Sequence, residues 1–389
     1  MLAGRRDVLF LSGLAVLAVA GQLVLNQAAV TLGRMAGFSW TVLTTGFDFV
    51  GIWYADTAFV HGKAFAWYGT GISNAWPPPH EVLFAPLGWL SYDGAHFVTT
   101  ILTAALMVFT VVLWSREPLP GSAASTRGSL AGTILLSAPV FAVIWIDQLQ
   151  AALGLAALSL AIWAQRREKW WLVGIAASIG MIRVLNAIPV LAILLLSGWR
   201  KPRQLGIAAG AGAAFMAPLL LVSYLWDHTF ITDYLAGISA YPFNGTPKLV
   251  THSLGPWGIS ILMVVGCAAA LWLVRRDLGR PLDAGRAGLA MGLTVPLAPL
   301  GGLYPAIFAL PALIRLSQRP GFWAISWIAA VGPWVLILVA SPWLLGPDPG
   351  LVLNFVSFID YGLVLLAYPL LRIPREAELT AAGRGEKAA

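Results

Sequence analysis

Long apolar runs separated by short polar clusters dominate the chain, at about residues 8–30, 94–114, 128–146, 149–165, 170–199, 204–225, 256–274, 287–314, 320–341 and 350–371. A crossing needs about 20 such residues. The pattern therefore predicts an all-α polytopic transmembrane bundle of roughly ten to twelve helices. It is read as one domain over 1–372, with a short polar tail at 373–389. The run after Arg5 and Arg6 is long and has no clean small-residue cleavage site, so it reads as a retained first helix.

The clusters between the runs set the topology. Cytoplasmic loops are enriched in Lys and Arg, and Arg5, Arg6, Arg116, Arg127, Arg166, Arg167 and Lys169 fall where such loops are needed. On this threading 20 of the 24 Lys and Arg are cytoplasmic, the exceptions being Arg34, Lys63, Arg183 and Lys248. Residues 31–93 and 226–255 then become long outer segments, and Asp147 and Gln148 mark an outer turn.

Two runs resist a single crossing. Residues 170–199 and 287–314 each lie between two basic clusters, so an even number of passes is required, yet each is too short for two full helices. Short helical hairpins satisfy both demands, the first breaking near Asn186 and Pro189, the second among Pro296, Pro299, Gly301, Gly302 and Pro305. Irregular backbone at membrane depth is tolerated only where it is buried in protein or lines a watery cavity. The hairpins therefore point at a site.

Composition agrees: hydrophobic residues make up 59%, charged residues 11%, and mean hydropathy is +0.79. A soluble domain carries about 25% charge. The net charge of +7 is spread as loop clusters, which argues against a nucleic-acid partner. Cys267 is the one cysteine, so neither a disulfide framework nor a thiolate metal centre is expected. His61, His80, His96, His228 and His252 all fall on the outer side without a zinc-like spacing, so no metal or other cofactor is expected. There is no phosphate-cradling loop and no nucleophile elbow.

Candidate chemistry concentrates in 38–96. Asp48 stands between Phe47 and Phe49, with Trp53, Tyr54 and Asp56 following. Then comes W-P-P-P-H-E, from Trp76 through His80 and Glu81. A carboxylate flanked by aromatics at a membrane surface suits a general base for a hydroxyl, with rings for sugars to stack on. The residues alone fit an ordinary carboxylate in an interfacial aromatic belt as well, and favour it. Glu81 also suits a helix N-terminus. Arg183, alone in an apolar hairpin, needs an anion or a polar cavity, and its paired donors match a phosphate. Snorkelling to a headgroup or pairing with Asp147 would meet the same need.

The order F-D-F, W-Y-A, then W-P-P-P-H-E-V-L-F-A-P-L at 76–87 resembles glycosyltransferase family 87, of the GT-C superfamily. The D-Q-L-Q turn at 147–150, the R-R-E-K-W-W loop at 166–171 and the I-R-V-L-N-A-I-P hairpin at 182–189 are similar to that family's succession. Where the family often has Lys before Pro-Gln, this chain has Arg183-Val184-Leu185-Asn186. The likeness covers about residues 40–210. It implies a membrane glycosyltransferase in which Asp48 is the base and the donor is a polyprenyl-monophosphate sugar, mannose or arabinose. The acceptor is a lipid or glycan outside the cytoplasm. Arg183, His228 and His252 are then expected at the donor phosphate, and Asp56, Trp53, Tyr54, Trp76, His80, Glu81 and Gln148 at the substrates. The expected location is a bacterial inner membrane, with the site facing the periplasm or exterior. The competing class is a lipid-linked-sugar flippase or secondary transporter, which would gather polar groups at the midplane of two corresponding halves.

Overall fold

The computed structural model describes residues 47–62, 76–115, 137–145, 147–240, 253–295 and 304–317, together with Ala20. The runs expected at 8–30, 320–341 and 350–371 lie outside them, as do His252 and the proline-rich break after Val295. Among the described residues there is no strand. The helices are α1 (Phe47–Val60), α2 (Pro78–Phe84), α3 (Tyr92–Ser115), α4 (Ala138–Trp145), α5 (Leu149–Arg166), α6 (Trp170–Gly180), α7 (Val184–Gly198), α8 (Pro202–Trp226), α9 (Phe230–Ala240), α10 (Gly258–Val274), α11 (Ala284–Gly292) and α12 (Leu310–Ser317). The stretches 92–115, 170–198 and 202–226 are long and apolar enough to cross a membrane, and this is a membrane protein.

The middle stretch does not cross once. A straight helix would put Trp170 and Gly198 about 42 Å apart, yet a Cβ built on Gly198 would lie 2.6 Å from the Trp170 ring. Residues 170–198 therefore go up as α6, turn through a short 3-10 segment at Met181–Arg183 and return as α7. This is the hairpin required by charge parity. Its break lies at 181–183 rather than near Asn186 and Pro189. Pro189 falls in the second turn of α7, where a missing N–H and the clash with residue 185 affect only the helix start. In the second stretch α11 packs on α12, a Cβ on Gly288 lying 3.2 Å from the Pro311 backbone; the expected break between them lies outside the described residues.

Helices α6 and α11 start from the same side, which carries Arg166, Lys169, Lys201, Arg280 and Arg286 and is called the basic side below. Polar bonds fasten it. Gln165 Nε2 donates to Ser197 Oγ at 2.9 Å and to the Arg280 carbonyl at 3.0 Å, while its Oε1 accepts from the Leu282 N–H at 2.9 Å. Arg166 Nε donates to the Leu282 carbonyl, Lys201 pairs with Glu168 and Arg286 with Asp277. On the opposite, acidic side, Asn186 Nδ2 donates to the Thr294 carbonyl at 2.7 Å, tying the first turn of α7 to the residues that follow α11.

Lipid supplies no hydrophobic drive between helices, so close packing falls to small residues. Helices α6 and α8 run parallel and touch through glycines. A Cβ on Gly174 would lie 1.9 Å from the Ala208 carbonyl oxygen, and one on Gly212 would lie 2.8 Å from Ser178 Oγ. Gly206 and Gly210 on α8 face open space. Gly174→Ala is expected to lower the thermal midpoint in detergent, at a cost of about 1–3 kcal/mol for overpacking. Gly206→Ala and Gly210→Ala should leave it unchanged or raise it by up to about 1 kcal/mol of helix propensity. Tryptophan fluorescence during thermal unfolding measures both.

Candidate active site

The elements on the acidic side meet in one buried cluster that includes Phe49 and Ile52 of α1, Trp76, Leu87, Leu149 at the start of α5 and Ile182 in the hairpin turn. The sequence builds it locally. Pro77 is extended and Pro78 and Pro79 occupy the first positions of α2, where a missing N–H costs nothing. Glu81 falls in that helix's first turn, the end favourable to a carboxylate. A 3-10 helix, Ala85–Trp89, then lies on α1 so closely that a Cβ on Gly88 would stand 2.3 Å from the Asp56 carbonyl carbon. Only glycine allows that contact. Trp53 Nε1 adds a hydrogen bond to the Leu90 carbonyl at 3.1 Å.

Asp48 is the second residue of α1, next to buried Phe49. Helical geometry puts Asp56 about 12 Å further along the axis and about 80° round from it. Tyr54 is exposed and Trp53 half-buried, their rings 5.2 Å apart. Asp56, Trp76, His80, Glu81 and Gln148 are each at most 3% exposed. Neither Asp56 oxygen has a hydrogen-bond partner. The His80 ring lies against the backbone of Ser178 and Ile179 at the top of α6 without reaching hydrogen-bond geometry. Arg183 is 7% exposed. His228 sits apart at the exposed end of α8, its Nδ1 donating to the Tyr224 carbonyl at 2.6 Å. The structure thus gathers Asp56, His80 and Glu81 about α2, and leaves His228 outside that group. Among the described residues no set of three or more His, Cys, Asp or Glu is placed to hold a metal ion.

Three features escaped the sequence reading. Asp147 is fully buried and its carboxylate accepts from Thr99 and, at 3.2 Å, from Thr103 of α3, pinning the turn to that helix. Its φ of 54° is left-handed, uncommon for a residue other than glycine. Thr99, Thr100 and Thr103 in an apolar run were the available signal, because polar groups at membrane depth need partners. Tyr234 of α9 lies close enough to Glu81 to feel its charge. The Asn186 link to Thr294 was the third.

Burial, helped by the Glu81 carboxylate, pushes Asp56 up to about 9, so it is neutral at physiological pH. Burial pulls His80 down to about 4, the backbone of Ser178 and Ile179 acting against that fall. The Tyr234 hydroxyl is pushed up by burial and then by Glu81, which keeps it a neutral donor. A carboxyl raised on folding stabilises fully below its unfolded value, 3.8, and loses that stability as pH rises through 9. The thermal midpoint in detergent should therefore fall between pH 6 and 9, by at most about 1.4 kcal/mol per pH unit for one proton. Asp56→Asn, neutral throughout, should remove most of that slope.

The profile of glycosyltransferase family 87 matches residues 74–298. The match begins after Asp48, takes in Trp76 through His252 and runs well past residue 210. No curated protein and no solved structure matches the chain. The matched stretch covers more than half of the 389 residues, and the chain belongs to glycosyltransferase family 87.

Proposed function

We propose that this membrane glycosyltransferase takes a sugar, mannose or arabinose, from a polyprenyl-monophosphate carrier and transfers it to a lipid or glycan acceptor on the acidic side. The basic side then faces the cytoplasm and the acidic side the periplasm or exterior, in a bacterial inner membrane, as the distribution of Lys and Arg supports. One observation carries the reading: Asp48 and Arg183 each adjoin a member of the same buried cluster, Phe49 and Ile182. Positions 48 and 183, from two different parts of the chain, thus flank one cluster.

In the proposed reaction an acceptor oxygen attacks the anomeric carbon while the bond from that carbon to the phosphate oxygen breaks. The electron pair leaves with the lipid phosphate, the acceptor proton passes to Asp48, and the configuration inverts. Arg183 steadies the departing phosphate through paired donors, with His228 and His252 assisting from the segment after α8. Asp56 is a poor base because it already holds its proton, which supports the choice of Asp48. Tyr54 and Trp53 offer sugar-stacking rings, and the buried Asp56, Trp76, His80, Glu81 and Gln148 are the other residues assigned to the substrates.

The test is transfer from labelled polyprenyl-phosphate mannose and, separately, arabinose by membranes containing wild type or Asp48→Asn. The expected result is product from one donor with wild type and a loss of at least about 100-fold in the equally abundant variant, the usual scale for a positioned base. Activity of Asp48→Asn equal to wild type would remove Asp48 from the mechanism. Consumption of neither donor would remove both sugars.

A further inference from the structure

Arg183 caps the start of α7 with φ −116° and ψ 69°, and its stem lies on α5 at the one point where α5 has no side chain. A Cβ on Gly154 would stand 2.8 Å from Arg183 Cγ and 3.2 Å from Arg183 Cβ, so the stem fills the space that any other residue at 154 would occupy. The contact is buried, Gly154 lying within α5 and Arg183 only 7% exposed. About one turn away the same two segments meet again. There a Cβ on Gly180 would stand 2.6 Å from Leu158 Cδ2, and no charged group takes part. Two glycines thus permit the approach, and only Gly154 touches the arginine.

An arginine stem has several rotatable bonds, and paired donors recognise a phosphate only when the guanidinium is held in place. A wall against the first two carbons restricts rotation about the first side-chain bond, which sets the direction of the whole stem, before any ligand arrives, and that is preorganisation. We infer that Gly154 is a positioning residue for the donor phosphate: by lacking a side chain it holds the Arg183 stem against α5 and so fixes where the guanidinium presents its donors. This rests on the reading that Arg183 binds that phosphate.

Binding of sugar-free polyprenyl phosphate to the purified full chain in detergent tests the inference without requiring the sugar or acceptor to be known. Arg183→Ala should weaken binding by at least about tenfold and Gly154→Ala by several-fold to about tenfold, the scale of a displaced contact. The double variant should bind as Arg183→Ala does, because a residue acting through another adds nothing once that partner is gone. Removing the stem also makes room for the new methyl group, so the double variant reports even if Gly154→Ala alone fails to fold. Gly180→Ala, which overpacks the same interface away from the arginine stem, should weaken binding clearly less than Gly154→Ala does. Wild-type binding by Arg183→Ala would overturn the phosphate reading and this inference with it. Weakened binding by Arg183→Ala with a further, additive loss in the double variant, or an equal loss in Gly180→Ala, would overturn the role of Gly154 alone.

Discussion

At Gly174 the backbone of α6 comes so close to the Ala208 carbonyl of α8 that no side chain fits between them. That approach is the constraint on which the arrangement depends. Helix α6 has only 11 residues and cannot cross a bilayer by itself. It is held upright between α8 and α5 by backbone proximity, with glycines on both flanks. Because lipid competes equally well for an apolar side chain, such close packing is what can fix a short helix at depth. Everything the hairpin carries at its turn, from Ile182 to Asn186, inherits its position from those contacts.

The buried polar groups follow from the same geometry. Where the hairpin turns, backbone groups and side chains without helical partners are exposed to the interior, and each must be satisfied or it is costly. Asn186 reaches the residues that follow α11. His80 approaches the top of α6, and the Glu81 carboxylate lies close enough to Asp56 to disfavour its charge. A region of this kind stores unfavourable polarity, tolerated because the surrounding helices cannot relax around it, and such regions accumulate at functional sites.

Much of this was legible in the chain. The even number of passes in 170–199 followed from basic residues at both ends, because charge distribution sets membrane topology irrespective of detail. The position of the first break did not, since a proline near a helix start resembles a helix breaker in sequence. The turn at 181–183 is instead fixed by packing of Gly180 and Arg183 against α5. Asp56, His80 and Glu81 stood out as polar residues, but no periodicity reveals their burial, nor that Gly88 admits one backbone against another at Asp56. Asp147 read as a turn marker. Its bonds to Thr99 and Thr103 join residues more than 40 positions apart and left only three threonines in an apolar run as a trace. Tyr234 carried no signal in a segment already rich in aromatics.

The side chain of Gln165 has a wider meaning than its three hydrogen bonds suggest. It joins the foot of α5 to the end of α7 and to the loop before α11, so three separate parts of the chain share one knot on the basic side. On the acidic side the described tie between the two stretches is the Asn186 bond to the Thr294 carbonyl. Among the described residues, polar fastening is thus denser at the basic end of the molecule than at the acidic end. Loss of the Gln165 side chain would therefore release three parts of the chain at once, whereas loss of the Asn186 amide would release a single tie.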